Sequence, residues 1–310
     1  MADCRWCGGR RLGLGLGSRI HERIGFVVKP MSDATTLTLP APATKRWPRR
    51  LLGALLLLAA VYGLAIAALW WGQERLLFHP VPLAADHNFR QADDVHETWV
   101  DVPGARLNAL HLKLPNPSGV VFFLHGNAGN LERWFVNVDF YRKANVDLFM
   151  LDYRGFGKSS GHIESQAQLE ADVRAAWAQV APAYAGKKRV IYGRSLGTGL
   201  ATMLAAQNAP ELTVLVSPYA SMLQMAAEKY PWVPGAVLRY PLRTDLLLPR
   251  VHGPVLLVHG DQDTLIPLQH SERLQLLMPQ AQLLRVPGAA HGDIHSHAIY
   301  LEGLRAALAR

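Results

Sequence analysis

The stretch Gly193–Gly197, with the sequence GRSLG, decides the fold of this chain. Residues 189–192 (RVIY), a basic residue followed by apolar ones, precede it and predict a strand. Residues 198–206 (TGLATMLAA) follow it and predict a helix. The order strand, sharp turn, helix is typical of a turn that raises a serine above the end of a sheet. The serine is strained there, and glycines on either side avoid the neighbouring strand and helix. The alternative is a glycine-rich turn whose Ser195 has no chemical role.

Strands and helices alternate on both sides of this turn. Strands are predicted at residues 98–102, 107–112, 120–124, 147–151, around Val190, and at 212–216, 255–258 and 282–286. Helices are predicted at residues 131–143, 166–180, after Ser195, and at 294–308. The first two strands are expected to form an antiparallel pair. The rest predict a mostly parallel sheet with helices on both faces, and the lapse of alternation near residues 217–250 predicts a short cap.

A serine nucleophile needs a base to take its proton and a third group to orient that base. In this architecture the expected order along the chain is serine, acid, histidine. Asp263 follows the strand at 255–258, and His291 follows the strand at 282–286. We therefore expect Ser195, Asp263 and His291 to meet at the carboxyl ends of parallel strands, with Asp261 as the alternative acid.

The oxyanion of such a reaction needs two backbone donors. The Leu196 N–H at the start of the helix is one candidate. The other is expected in the loop HGNAGN at residues 125–130, where we favour the Asn127 N–H over that of Ala128. His125 is expected to be a structural hydrogen-bond partner rather than a second base.

Metal and redox chemistry have little support in the sequence. Cys4 and Cys7 are the only cysteines, and one C-x-x-C pair cannot fill a tetrahedral zinc site. The stretch HGDIHSH places His295 and His297 near His291, but histidines at a helix start are more often surface residues than metal ligands. We expect no metal and no cofactor.

The basic charge of the chain is concentrated near its N-terminus. Residues 1–50 contain ten Lys and Arg residues against three acidic ones, so they account for +7 of the net charge of +8. Nucleic-acid binding by the folded part is therefore not expected. We expect residues 1–50 to form a disordered basic tail, and Met31 is a candidate translation start.

Residues 51–71 contain no charged side chain. At about 1.5 Å per residue they are long enough to cross a bilayer core of about 30 Å. Basic residues precede the segment and Trp70–Trp71 closes it, which predicts a signal-anchor with a cytoplasmic N-terminus and a catalytic domain, residues 74–310, outside the cytoplasm. The alternative is a secreted protein cleaved after a signal peptide at Ala65–Ala67.

Six motifs occur in an order that resembles the α/β-hydrolase superfamily: HGNAGN, LDYRGFGKSSG, GRSLGTG, SPYASM, VHGDQDTLIP and PGAAHGD. They are most similar to the Bem46-like branch, with its membrane-anchored serine hydrolases, S33-type peptidases and depalmitoylase-like members. The resemblance covers about Glu74–Leu304 and implies an α/β-hydrolase fold, Ser195 as nucleophile, Asp263 as acid and His291 as base. The stretch GAAHGD departs from this pattern, because a small residue, Gly292, follows the histidine where such sequences often carry Asn.

The expected activity is hydrolysis of a carboxylic ester or thioester through an acyl-enzyme. An anchor together with cap residues Tyr219, Tyr230 and Trp232 suggests a lipid-like acyl substrate presented from a membrane, although these residues could only pack the cap. The alternatives are a serine peptidase and an inactive, membrane-tethered binding module. The expected partners are a small-molecule substrate and the membrane, and the sequence leaves the oligomeric state open.

Overall fold

A computed structural model of the chain describes Gly25 and residues 48–310. Residues Gly53–Arg310 form a compact unit that contains the sheet. The expected basic tail up to residue 47, the two cysteines and the Met31 start lie outside the described residues.

An eight-stranded sheet forms the centre of this unit. Its strands, numbered in chain order, are β1 Val95–Val102, β2 Ala105–Leu112, β3 Gly119–Leu124, β4 Asp147–Leu151, β5 Lys188–Arg194, β6 Leu212–Val216, β7 Val255–Gly260 and β8 Gln282–Val286. They lie in the order β8-β7-β6-β5-β3-β4-β2-β1. All pairs are parallel except those made by β2, so the predicted mostly parallel sheet and the antiparallel β1–β2 pair are confirmed.

Both faces of the sheet are buried, which explains its continuous apolar strands. In β3, Val120 and Phe122 belong to one core cluster, and Val121 and Phe123 belong to the cluster on the opposite face. This alternation follows from the two-residue period of a strand. The first cluster contains side chains of the helices that follow β4 and β5, and the second contains those of the C-terminal helix.

The helices of the described chain are α1 Arg49–Trp71, α2 Gln73–Leu77, α3 Leu131–Trp134, α4 Val138–Lys143, α5 Gln166–Val180, α6 Gly197–Asn208, α7 Met222–Lys229, α8 Thr244–Leu247, α9 Gln269–Leu277 and α10 Ala298–Ala309. Short 3-10 turns occupy Ala181–Tyr184, Gly235–Val237, Leu248–Arg250 and Ile294–Ser296. Helix α5 has the predicted bounds, and the Ser165 hydroxyl caps it by accepting a 3.1 Å hydrogen bond from Gln168 N–H.

Three helical segments differ from the prediction. The expected helix at 131–143 is interrupted because Asn137 adopts the left-handed conformation, with φ of 57°, between α3 and α4. Helix α9 was not predicted. The last helix begins at Ala298 rather than at Ile294, where a 3-10 turn precedes it. The region 217–250 contains α7, α8 and two 3-10 turns, a set of short elements in the place where a cap was expected.

Helix α1 is long and apolar enough to cross a membrane by length and composition, and none of its residues is buried in the described structure. One stripe of its C-terminal half faces the region 217–250. The Tyr62 hydroxyl donates a 3.0 Å hydrogen bond to the Trp232 carbonyl, and Ile66 and Leu69 are half-buried. Because residues spaced by three or four lie on one helix face, these three side chains form a continuous contact line along α1.

Candidate active site

Ser195 lies at the end of β5 in the left-handed conformation, with φ of 52°. Its N–H donates to the Val216 carbonyl at 3.0 Å, which ties the turn to the neighbouring strand. A Cβ at Gly193 would lie 2.6 Å from the Gly197 carbonyl oxygen, and a Cβ at Gly197 would overlap the Leu124 carbonyl. Both glycines are therefore required by the close approach of β3, β5 and α6.

A chain of hydrogen bonds links Ser195, His291 and Asp263. The Ser195 Oγ lies 3.0 Å from His291 Nε2, and His291 Nδ1 lies 2.7 Å from Asp263 Oδ2. The three residues come from the ends of β5, β8 and β7. This geometry allows His291 to accept the serine proton while Asp263 fixes the ring orientation.

The carboxylate of Asp263 is buried and held in its charged form. Its Oδ1 accepts hydrogen bonds from the Leu265 and Ile266 N–H groups at 3.0 and 2.9 Å. Burial by itself would raise the pKa of Asp263, but hydrogen bonds from His259, His291 and Ile266 outweigh it and hold that pKa well below its usual range. Asp263 therefore stays ionised at neutral and mildly acidic pH.

His259 is a partner of this carboxylate that the sequence did not single out. Its Nε2 lies 3.5 Å from Asp263 Oδ2 and 2.7 Å from the Ile266 carbonyl, and its Nδ1 lies 2.6 Å from Ser271 Oγ. Its place in the stretch VHGDQD, two residues before the first Asp, is the signal that could have identified it. Asp261 instead accepts from Gly288 N–H at 2.8 Å and does not reach His291.

Arg194 is the second residue that the sequence did not single out. Its Nε donates a 3.0 Å hydrogen bond to His295 Nε2, and its Nη2 donates to the His291 backbone carbonyl. Burial, together with the charges of Arg194 and His291, lowers the pKa of His295 to about 3, so His295 is a neutral acceptor. Arg194 was visible in the sequence only as the variable residue of the GRSLG turn.

The two amides expected to face the oxyanion lie beside Ser195. In the described part of the chain neither the Asn127 N–H nor the Leu196 N–H has a hydrogen-bond acceptor. The Asn127 side chain donates to the Leu77 carbonyl at 2.9 Å, and its own carbonyl accepts from His79 N–H at 2.8 Å. Residues at and just after the end of α2 therefore hold this loop in place, leaving both amides available to a ligand oxygen.

His125 is directed away from Ser195. Its Nδ1 lies 2.7 Å from the Gly126 carbonyl, and its Nε2 lies 3.4 Å from Asp152. Its carbonyl accepts a 2.9 Å hydrogen bond from the Tyr153 hydroxyl. These contacts are those of a side chain that supports the loop.

Two cavities meet at Ser195, and Asn127 and Leu265 border both of them. The larger has a volume of about 470 Å³ and lies under the region 217–250. Its walls are mostly apolar side chains of α1, α2, α7 and the segment after α7. The smaller has a volume of about 320 Å³ and is bordered by His291 and by residues of α3, α4 and α10.

The three cap residues singled out from the sequence all border the larger cavity. Tyr219 is fully buried, and its hydroxyl donates to the Leu196 carbonyl at 3.0 Å. Tyr230 and Trp232 are each more than half exposed. Tyr219 therefore supports the turn, whereas the other two lie at the outer side of the cavity.

The histidines of HGDIHSH point in different directions. His291 faces Ser195 and Asp263, His295 accepts from Arg194, and His297 lies 3.6 Å from Asp293. Within residues 48–310 no group of three His, Cys, Asp or Glu side chains is arranged to hold a metal ion.

Comparisons with known proteins place this chain among hydrolases. The family described as Serine aminopeptidase, S33 (Hydrolase_4) matches residues 115–244. An uncharacterized protein of Mycobacterium tuberculosis is 31% identical over 258 residues, covering 79% of this chain and 89% of that protein. The alpha/beta hydrolase domain-containing protein 17C of Xenopus laevis is 30% identical over 214 residues, covering 67% of each chain.

Among solved structures, the Pyrococcus furiosus esterase matches with a TM-score of 0.57. The match covers 75% of this chain and 95% of the esterase, at 16% sequence identity. At that identity the likeness concerns the fold alone.

Proposed function

Because this chain belongs to the α/β-hydrolase superfamily and is a serine hydrolase of the branch that includes the alpha/beta hydrolase domain-containing 17 proteins, we propose that Ser195, His291 and Asp263 are its catalytic triad. The substrates are carboxylic esters or thioesters of lipid-like acyl groups. The observation that carries this proposal is the unbroken chain of hydrogen bonds from Ser195 Oγ to Asp263 at the mouth of a large apolar cavity.

In the proposed mechanism His291 accepts the Ser195 proton as Oγ attacks the acyl carbonyl. The Asn127 and Leu196 amides bind the oxyanion, where each donor is worth about 2.7–4 kcal/mol of barrier. Asp263 stabilises the imidazolium, which then protonates the leaving group. Water, activated by His291, releases the acyl group from Ser195 and restores the enzyme.

The acyl chain is proposed to occupy the larger cavity. Met222, Leu223 and Ala226 of α7 form one wall, and Leu69 of the anchor helix forms part of another. The only charged residue that borders it within the described chain is Lys229. An apolar chain gains free energy by leaving water for such a surface, at roughly 25 cal/mol per Å² buried.

We further propose that α1 is a single-pass anchor, with the N-terminus in the cytoplasm and the catalytic domain outside it. The basic residues before and at the start of α1 and the paired Trp70–Trp71 at its end support this orientation. The alternative is a secreted domain released by signal-peptide cleavage. A protease that digests the domain only from the outer side of intact cells tests the orientation, and recovery of the whole chain in membranes tests the anchor.

A peptidase is the alternative named by the description of the matching family. An aminopeptidase must bind a substrate ammonium group, for which an acidic side chain is the usual partner. In the described structure no Asp or Glu borders either cavity, which favours an ester or thioester. A binding module without activity would have no need for the Ser195–His291–Asp263 arrangement.

A chain-length series tests the acyl assignment on the full chain in detergent micelles. We expect kcat/KM for para-nitrophenyl decanoate to exceed that for the acetate, and Ala226→Trp to lower this ratio by filling the cavity. Ala178→Trp is the matched control, because Ala178 is exposed and borders neither cavity. Equal rates for both esters in the wild type would contradict the proposal.

A further inference from the structure

The position of His291 determines which half of a substrate each cavity receives. Of the two cavities, His291 borders only the smaller one, and Leu196 borders only the larger one. The imidazolium must reach the departing oxygen or sulfur to protonate it, so the leaving group lies on the His291 side. The acyl group then lies on the Leu196 side. This step rests on the proposed function.

The smaller cavity differs from the larger in its charge. Arg133 and Arg194 border it, and no carboxylate does within the described residues. Arg305 also lies near, 5.9 Å from the ring of Phe140, which borders the cavity. Aromatic and aliphatic side chains complete the wall, including Trp134. The cavity therefore combines an apolar wall with positive charge.

The charge of Arg194 has no carboxylate partner in the part of the chain that the structure describes. The side chain is 2% exposed, and its hydrogen bonds go to the neutral ring of His295 and to a backbone carbonyl. Its Nη1 is buried without a hydrogen-bond partner there. Asp263 and Asp293 act on this charge only from a distance, without an ion pair. A buried cation without an ion-pair partner raises the electrostatic potential of the adjacent cavity more than an exposed one does.

Arg133 supplies a second, accessible charge. It is exposed, and no carboxylate within residues 48–310 forms an ion pair with it. The adjacent Glu132 instead lies 3.5 Å from His87. Of the acidic residues near His291, Asp263 is bound to the histidine, and Asp293 accepts from Ala290 N–H.

We propose that the smaller cavity selects alcohol or thiol leaving groups that carry a negative charge. Arg133 contacts the anionic group directly at the accessible side of the cavity. Arg194 contributes the potential that favours an anion beside Ser195. The substrate is thus a long-chain acyl ester or thioester whose acyl half is apolar and whose other half is anionic.

Two esters that differ in one charge test this selectivity on the full chain in detergent micelles. They are para-(decanoyloxy)benzoate and its neutral analogue para-(decanoyloxy)benzamide, with each kcat/KM divided by the rate of alkaline hydrolysis. At low salt we expect the benzoate to be preferred by about tenfold, and added salt to reduce the preference. Arg133→Gln should lower it by about threefold or more.

Arg250→Gln is the matched control, because Arg250 is exposed and borders neither cavity, and it should keep the wild-type ratio. A wild-type ratio near one, or a ratio that Arg133→Gln leaves unchanged, would overturn the inference. The proposed function would still stand if the benzamide were hydrolysed in a Ser195-dependent way. Hydrolysis of neither ester would overturn both.

Discussion

The guanidinium of Arg194 donates a hydrogen bond to the backbone carbonyl of His291. The residue immediately before the proposed nucleophile therefore holds the loop that carries the proposed base. A second bond to His295 fixes the same guanidinium from the side of the 3-10 turn at Ile294–Ser296. This arrangement makes the distance between Ser195 and His291 depend on a buried arginine.

Arg194→Lys tests this dependence. Lysine keeps the charge but cannot make both hydrogen bonds in the fork geometry of arginine, so His291 should lose its alignment. We expect kcat to fall by about 10- to 100-fold with a smaller change in KM, since a displacement of about 1 Å can cost that much. The preference for para-(decanoyloxy)benzoate should persist because the charge remains. A kcat within twofold of wild type would contradict a positioning role.

Gly197→Ala should destabilise the protein. A Cβ there overlaps the Leu124 carbonyl and lies 2.7 Å from the His125 carbonyl, and neither backbone can move without disturbing β3. We expect a loss of about 2 kcal/mol or more, measured by denaturant unfolding of the detergent-solubilised chain. Gly292→Ala is the control, because no atom lies within 4 Å of its Cβ. Equal stability of the two variants would contradict the close packing of the turn.

His111 predicts a pH dependence of stability. Burial and nearby charges lower its pKa from 6.5 to about 4, and its Nε2 lies 2.9 Å from the Tyr184 hydroxyl. Between these pH values the unfolded chain binds a proton that the folded chain does not, so stability falls as pH decreases from 6.5 to 4, by about 3 kcal/mol at most. Burial raises the pKa of Asp147, and this acts in the opposite direction.

Denaturant unfolding at several pH values measures this effect. His111→Gln should reduce the slope between pH 6.5 and 4, and the slope that remains is expected from His295 and His270, whose pKa values burial also lowers. His162→Gln, at an exposed site, should leave the slope as it is in the wild type. An unchanged slope in His111→Gln would exclude His111 as its source.

Gln73, the first residue of α2, is hydrogen-bonded to the region 217–250. Its Nε2 donates to the Val237 carbonyl at 3.0 Å, and its Oε1 accepts from Arg239 N–H at 2.7 Å. Gln73→Leu removes both hydrogen bonds and keeps a side chain of similar volume. The lost bonds should destabilise this part of the wall of the larger cavity by about 1–3 kcal/mol of free energy. We expect a higher KM for decanoyl esters than in Gln91→Leu, a control at an exposed site. An identical KM in both variants would contradict a role of the two Gln73 hydrogen bonds in acyl binding.

Much of the fold was predictable because the sheet is buried on both faces. Strands such as Val120–Leu124 are uninterrupted apolar runs, and their bounds follow from composition alone. The break at Asn137 was not predictable, since residues 131–143 keep a helical pattern through the left-handed residue. The polar sequence of α9 gave only a weak helical signal.

The proposed triad was identifiable because each residue follows a predicted strand in a recognisable loop. The contributions of Arg194 and His259 depend on side-chain contacts between loops that are distant in sequence, such as that of Arg194 with the His291 carbonyl. No pattern along the chain encodes such contacts. The same holds for the two cavities, whose difference in charge appears only when α3, α7 and α10 are placed around Ser195.

The most direct test of the account is covalent labelling of the full chain with a fluorophosphonate probe, which reacts with activated serines. We expect wild type to be labelled and to hydrolyse decanoyl esters, and Ser195→Ala to lose both the label and the activity while its thermal unfolding is unchanged. Ser160→Ala, at an exposed serine, should be labelled like wild type. Labelling of Ser195→Ala at the wild-type rate would contradict the assignment of Ser195 as the nucleophile.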